Sequence, residues 1–128
     1  MLGRYQIVRG KRPPGNPLPE GRRIDVRKHT SHVLRPNAKL VVEYLKRPDA
    51  AAWSRYTVSY LAELEQRFAR DRSAFDALAE EARLADVYIG CNCPTKKNPD
   101  VRHCHTYLAL GFMKKRYPKL VVVMPAGK

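Results

Sequence analysis

ADVYIGC (residues 85–91), CHTYLALGFMKKRY (104–117) and KLVVVMP (119–125) are the three stretches of the chain that decide its fold. The first stretch is short and rich in strand-forming residues, and it ends in Cys91. The second predicts a helix with basic residues at its negative end, and the third is a continuous apolar run typical of a strand covered on both faces. A strand, a helix and another strand in this order predict a β-α-β unit, which is almost always parallel and right-handed.

The preceding residues predict two more strands and three helices. RYQIVRG (4–10) and RRIDVRK (22–28) predict strands, while the prolines of KRPPGNPLPEG (11–21) predict a loop. Asn37 and Asp49 can cap two helices, and Ser73 with Asp76 resembles the capping box of a third. The predicted fold is a small α/β three-layer sandwich, with about four mostly parallel strands and helices on its faces. We expect a single domain of residues 1–128, in which residues 1–21 form a strand and a basic Pro-rich loop and residues 22–124 form the main body.

The charge of the chain is unevenly distributed. The formal net charge is +13, and residues 1–35 and 94–128 each contribute +7 while residues 36–93 contribute −1. If the two ends meet, one surface becomes strongly positive and would attract nucleic acid or a phosphorylated small molecule. The alternative is a basic surface that only confers solubility. We expect no membrane partner, and the sequence does not indicate whether a protein partner exists.

The cysteines indicate a compartment. Three cysteines form an odd and crowded set, which is untypical of a secreted disulfide scaffold and favours reduced thiols in the cytoplasm. No apolar run approaches the roughly 20 residues of a membrane span, and the first residues do not form a recognisable signal peptide.

A Cys/His cluster marks the candidate site. All three cysteines and two of the four histidines lie within residues 91–105. Ligands of parallel sheets bind beyond the carboxyl ends of the strands, and the predicted elements place Cys91 at a strand end and Cys104 and His105 at a helix start. Because a helix N-terminus stabilises a thiolate, we expect this effect to be strongest for Cys104.

Three hypotheses about this cluster remain open. In the first, a thiol or acid–base enzyme acts on an anion, with Cys104 or Cys91 as nucleophile and His105 as base or acid. Asp25 is a further candidate catalytic residue, and the candidate anion-binding residues are Arg27, Lys96, Lys97 and Arg102. In the second, zinc is held by Cys91, Cys93, Cys104 and either His103 or His105 in a non-catalytic binding domain. In the third, the cysteines only pack.

Four stretches resemble the bacterial DUF488 family and, more loosely, the related family numbered 4326. They are RRIDVRKHTS (22–31), WSRYTVSYLAEL (53–64), AFDALAEEARLADVYIGC (74–91) and RHCHTYLALGFM (102–113). The resemblance implies an α/β three-layer sandwich and brings no reaction with it. By position, Asp25 and Arg27 match the family's DVR, Cys91 its strand-end cysteine, and Cys104–His105 its Cys-His pair. The basic loop of residues 92–102 is longer than is usual in the family, and Cys93 is similar to a feature of the 4326 relatives.

Overall fold

The computed structural model of the protein describes residues 1–126, so the last two residues of the predicted domain lie outside the described part. The elements are β1 (Leu2–Gln6), β2 (Arg22–Asp25), α1 (Ala38–Lys46), α2 (Ala50–Arg70), α3 (Ser73–Leu84), β3 (Val87–Cys91) and α4 (His105–Arg116). Their order agrees with the prediction except at the last predicted strand. Among the described residues, no helix has both the length and the apolar character that crossing a bilayer requires.

The three strands form one parallel sheet in the order β1-β3-β2. In the register, Leu2 lies opposite Val87 and Ile24 lies opposite Ile89. Because all three strands run in the same direction, their carboxyl ends and the loops that follow them share one edge of the sheet. Cys91 ends the central strand, so it lies in the middle of that edge.

The predicted fourth strand is not confirmed. Within residues 1–126, the segment 120–124 makes a single parallel bridge between Leu2 and Val122, supported by backbone hydrogen bonds to Leu2 on both sides. The side chains of Val121 and Val123 are 65% and 53% exposed, because the segment lies beside the edge strand β1 with alternate side chains toward solvent. The apolar run was therefore misleading: it indicated burial on both faces where only one is covered.

The helices share a core on one face of the sheet. Alternation along β1 and β3 points Leu2, Val87 and Ile89 to this face, where they join a hydrophobic core that includes residues of all four helices. On the opposite face, the Tyr5 ring lies so close over Gly90 that an added Cβ would be 2.5 Å from its Cε1 atom. The α/β class is confirmed, whereas a three-layer sandwich is not, because the common core of the helices occupies one face.

Local signals explain the helix starts. Asn37 caps α1 by accepting hydrogen bonds from the backbone of Lys39 and Leu40, and Asp49 caps α2 by accepting one from Ala52, as predicted. The predicted capping box of α3 is wrong. Ser73 is the first helical residue rather than the cap, and its backbone N–H donates to the Asp71 carboxylate.

Aromatic rings join α2 to its neighbours. Phe68 of α2 packs edge-on against Phe75 of α3 and Phe112 of α4. Nearer the site, Trp53 stacks on Tyr56, and Tyr44 of α1 packs against both rings. These contacts hold the helices against one another.

Candidate functional site

The ends of β3 and α4 bring the cysteines together, as the sequence predicts. Cys91 ends the strand and Cys104 is the residue immediately before α4, where its extended backbone (φ −138°, ψ 149°) leads into the helix. Their Sγ atoms are 2.8 Å apart, and both residues are buried. The Cys93 sulfur completes a group of three whose sulfur atoms all lie within 4.8 Å of one another.

Arg4 reaches this group from β1. Its Nη2 atom donates to Cys91 Sγ at 3.2 Å and to the Cys93 carbonyl at 2.6 Å, and its Nε atom donates to Thr106 Oγ1 at 3.0 Å. The guanidinium therefore sets a fixed positive charge against the Cys91 sulfur. The sequence interpretation missed Arg4. The available signal was a basic residue in phase with Leu2 on a strand, which places a charge on the covered face.

His105 is held in one tautomer. Its Nε2 atom lies 2.9 Å from the Val26 carbonyl oxygen, which can only accept, so Nε2 carries the proton and donates it. Nδ1 is then unprotonated and lies 3.8 Å from Cys104 Sγ. Burial lowers the pKa of His105 below its ordinary value, so the ring is neutral at pH 7.

The two closest thiols differ in acidity. Hydrogen bonding from Cys104 lowers the pKa of Cys91 well below its ordinary value, with a smaller contribution from the Arg4 charge. Burial raises the pKa of Cys104, and the neighbouring Cys91 sulfur raises it further. Of the two thiols, Cys91 is therefore the more readily deprotonated and Cys104 the less. Burial thus acts against the thiolate that the helix N-terminus is expected to favour at Cys104.

A cavity of about 220 Å³ opens onto the sulfur group. Its lining includes Cys91, Cys93, Cys104 and His105, together with the largely apolar side chains of Val41, Tyr44, Leu45 and Tyr56. Arg27, Lys28 and His29, which directly follow β2, also line it. The cavity thus combines a nucleophilic group, an apolar surface and a basic rim in one space.

Asn98 orders the loop between β3 and α4. Its buried side chain donates to the His103 carbonyl at 2.7 Å and accepts from the Tyr44 hydroxyl at 3.0 Å. The His103 ring stacks on Trp53, with ring centroids 5.0 Å apart. His103 lines the cavity but does not belong to the close group of sulfur ligands, so the structure brings together Cys91, Cys93 and Cys104 of the predicted metal set and leaves His103 apart.

Asp25 supports the rim rather than the sulfur group. Its carboxylate accepts hydrogen bonds from the Arg27 backbone and from Arg27 Nε and Nη2, and it lies 3.6 Å from His29 Nε2. Although burial raises the pKa of Asp25, the Arg27 hydrogen bonds lower it below its ordinary value, so the side chain stays ionised. Asp25 does not line the cavity, and its contacts suit it to hold Arg27.

The other predicted anion-binding residues lie outside the cavity. Lys96 and Lys97 are exposed on the loop after β3, and Arg102 is exposed and paired with Asp100. Of the four predicted cations, only Arg27 lines the cavity, whereas Lys28, which the sequence interpretation did not select, also does. Residue type alone could not distinguish loop cations that face the cavity from those that face solvent.

The sulfur atoms of Cys91, Cys93 and Cys104 form a set of three soft ligands that suits zinc. Thiolate sulfur is a preferred zinc ligand, and a close group of three leaves a fourth position for another donor. His105 Nδ1 is near Cys104 but is not within 4.8 Å of all three sulfurs. The three cysteines therefore suit a metal in donor type, and a fourth protein ligand would require a movement of the His105 ring.

The comparisons with known proteins identify the family of this chain. No curated protein and no solved structure matches this chain. The family model described as "Active DUF488-N3 subclade" matches residues 5–117, a range that includes β2, all four helices, β3 and the whole Cys/His cluster. Because this match covers most of the chain, the protein belongs to the DUF488 family.

Proposed function

We propose that the protein binds a phosphorylated, nucleotide-like anion in the Cys/His cavity and acts on it through the Cys91 thiol. The observation that supports this proposal most directly is the Arg4–Cys91 contact of 3.2 Å, because Cys91 lines a cavity that Arg27 and Lys28 also line. A guanidinium stabilises the thiolate, which is the nucleophilic form of cysteine. A buried cysteine with no function beyond packing needs neither a charged partner nor a cavity.

Some residues of the site serve the nucleophilic attack, and others bind the anion. Cys91 is the candidate nucleophile, and Arg4 positions its sulfur and stabilises its negative charge. When Cys91 is a thiolate, the Cys104 thiol donates to it, and His105 Nδ1 can exchange a proton with Cys104. Arg27 and Lys28 contribute the charge that attracts phosphate, and Asp25 holds Arg27 in place.

The surroundings of the cavity favour a polyanion as well. The loops that follow the three parallel strands share one edge, and they carry nine basic side chains against two acidic ones, Glu20 and Asp100. The basic residues are Arg9, Lys11, Arg12, Arg27, Lys28, Arg35, Lys96, Lys97 and Arg102. A nucleic acid could therefore present one phosphorylated unit to the cavity while neighbouring phosphates contact these loops. Three free thiols require reducing conditions, so we place the protein in the cytoplasm.

Protection against alkylation tests this function. The native protein is treated with iodoacetamide in the presence of adenosine monophosphate or of adenosine, and Cys91 modification is followed by mass spectrometry. We expect the monophosphate to slow alkylation of Cys91 more than adenosine does, because only the monophosphate pairs with the rim. Lys28→Gln should weaken the protection, and Lys114→Gln at the far end of α4 should not. Equal protection by both compounds, or none by either, would contradict the proposal.

A second candidate function is a zinc-stabilised domain without catalysis, which works by binding. It is favoured by the three sulfurs lying within 4.8 Å of one another. Zinc bound to the folded state raises stability, and a chelator removes that gain. Elemental analysis of the purified protein should then give about one zinc per chain, and Cys93→Ser should reduce it while also lowering the midpoint of thermal unfolding. A metal-free protein whose thermal unfolding does not respond to chelator would exclude this alternative.

A further inference from the structure

Two thiols meet in the site, although the proposed attack uses only one. Cys91 Sγ and Cys104 Sγ are 2.8 Å apart, are separated by thirteen positions in the chain and belong to two different elements. Both cysteines are buried, with 3% of Cys91 and 5% of Cys104 exposed, and both line the cavity. The neighbours of Cys104 are the Cys91 sulfur, His105 Nδ1 at 3.8 Å and Thr106 Oγ1 at 3.4 Å.

We propose that Cys91 and Cys104 form a redox pair, in which a small hydroperoxide oxidises Cys91 and Cys104 then closes a reversible disulfide. The proposal goes beyond ligand binding and does not require the anion to bind. Cys91 has what the first step needs: an adjacent guanidinium that stabilises a thiolate, and a cavity of about 220 Å³ through which a small oxidant can arrive. Cys104 has what the second step needs, because its sulfur already lies against that of Cys91.

The chemistry balances in two steps. The Cys91 thiolate attacks the terminal oxygen of the hydroperoxide, the O–O bond breaks, and the alkoxide takes up a proton and leaves as an alcohol. Cys91 is then a sulfenic acid, oxidised by two electrons. Cys104 transfers its proton to His105 Nδ1, its sulfur attacks the Cys91 sulfur, and the S–O bond breaks. The departing hydroxide takes the proton from His105 and leaves as water, and a dithiol reductant later restores both thiols.

Cys93 is the competing partner, and its contacts argue against it. Its carbonyl accepts from Arg4, and its sulfur lies 3.5 Å from the Asn98 side-chain nitrogen. The Cys104 sulfur lies 2.8 Å from the Cys91 sulfur, whereas the Cys93 sulfur lies within 4.8 Å of it. Oxidation should therefore join the end of β3 to the start of α4 and leave Cys93 as a free thiol. The disulfide would also remove the Cys91 nucleophile reversibly and protect it from irreversible oxidation.

Peptide mapping of the oxidised full-length protein tests the pair. The protein is freed of metal with a chelator, treated with about one equivalent of hydrogen peroxide per chain, alkylated and analysed without reduction. We expect a Cys91–Cys104 cross-link within one chain, an alkylated Cys93, and complete reversal by dithiothreitol. A cross-link through Cys93, three intact thiols, or sulfinic acid at Cys91 beside an intact Cys104 would overturn the proposal.

Matched variants assign the steps. Cys93→Ser should still form the cross-link, whereas Cys104→Ser should lose it and accumulate a Cys91 sulfenic acid that dimedone traps. If Cys104→Ser fails to fold, the Cys93→Ser result and the wild-type map decide the question. Because the ligand test is performed with reduced protein, its failure leaves this proposal standing, and failure of the oxidation test leaves the ligand proposal standing.

Discussion

At the residue scale, a single charged side chain distinguishes the surroundings of Cys91 from those of a cysteine that only packs. Arg4 lies on the covered face of β1 and donates to the Cys91 sulfur, to the Cys93 carbonyl and to Thr106. The guanidinium N–H groups of Arg4 stabilise the three groups that accept from them. Without the Arg4 charge, a Cys91 thiolate would have no counterion at this contact. Arg4 is thus a positioning residue whose removal should change the chemistry of Cys91 and not merely its packing.

Replacing Arg4 tests this role. Arg4→Gln should raise the pKa of Cys91, so the pH profile of its alkylation by iodoacetamide should move up by roughly one pH unit, which slows the reaction by as much as about tenfold on the acidic side of the profile. The rate is measured against pH, since a higher pKa shifts the rate profile to higher pH while a blocked cavity lowers the rate at every pH. Arg55→Gln, a substitution of an exposed arginine on α2, should leave the profile unchanged. An unshifted profile for Arg4→Gln would show that the guanidinium does not act on Cys91.

His32 makes the free energy of unfolding depend on pH. Its Nδ1 atom accepts a hydrogen bond from the Leu34 backbone, and burial lowers the pKa of His32 below its ordinary value. The unfolded chain therefore takes up a proton at a higher pH than the folded protein does. The contribution of His32 to stability is complete above its unfolded pKa of about 6.5 and decreases as pH falls through that value.

Replacing His32 should flatten this dependence. His32→Asn keeps an acceptor near the Leu34 backbone and removes the titration. Urea unfolding between about pH 7.5 and about pH 5.5 should show a smaller loss of the free energy of unfolding than in the wild type. Some loss should remain, because burial also lowers the pKa of His105. Identical slopes for the two proteins would contradict the assignment.

At the element scale, most of the fold followed from local signals. The caps of α1 and α2 and the strand ending at Cys91 were predictable, because each depends on residues close in the sequence. The segment 120–124 was not, since whether an apolar run pairs as a full strand depends on a neighbour that the run does not contain. Arg4 was missed for a related reason: its partners lie 87 to 102 positions away in the chain.

The sheet face opposite the helices depends on a glycine. A Cβ at Gly90 would lie 2.5 Å from the Tyr5 ring, so Gly90→Ala should force that ring to move and lower the free energy of unfolding by about 1–3 kcal/mol. Gly111→Ala in α4 is the matched control, because no atom lies within 4 Å of its added Cβ. This control should stabilise the protein by about 0.5–1 kcal/mol through its higher helix propensity. Urea unfolding of both variants measures the difference, and a harmless Gly90→Ala would mean that the Tyr5 ring is not confined.

At the scale of the whole molecule, the two basic ends of the chain do meet. The bridge between Leu2 and Val122 places the amino-terminal strand beside the carboxyl-terminal segment. The ends do not form one uniform surface, because α4 runs from the carboxyl edge of the sheet toward the segment that pairs near Leu2. Lys96 and Lys97 therefore lie on the loop near the cavity, while Lys114 and Lys115 lie at the far end of α4.

This difference predicts where a polyanion binds. Affinity for a single-stranded oligonucleotide should fall steeply between about 50 and about 200 mM salt, with a slope set by the phosphates contacted. Lys96→Gln with Lys97→Gln should weaken binding and reduce the slope, whereas Lys114→Gln with Lys115→Gln should do so much less, although the change in net charge is the same. Fluorescence anisotropy over a salt series measures both. If the two double variants lose affinity equally, binding follows net charge alone and not the carboxyl edge.

The central claim is that Cys91 is the reactive group of the molecule, and competitive labelling of the native, reduced protein tests it most directly. The freshly purified protein is treated with limiting iodoacetamide near neutral pH, its metal content is measured on the same sample, and the first modified thiol is identified by mass spectrometry. We predict that Cys91 is modified first and faster than free cysteine, although it is buried and Cys93 is more exposed. Modification of Cys93 first, with Cys91 no faster than an ordinary thiol, would contradict the account.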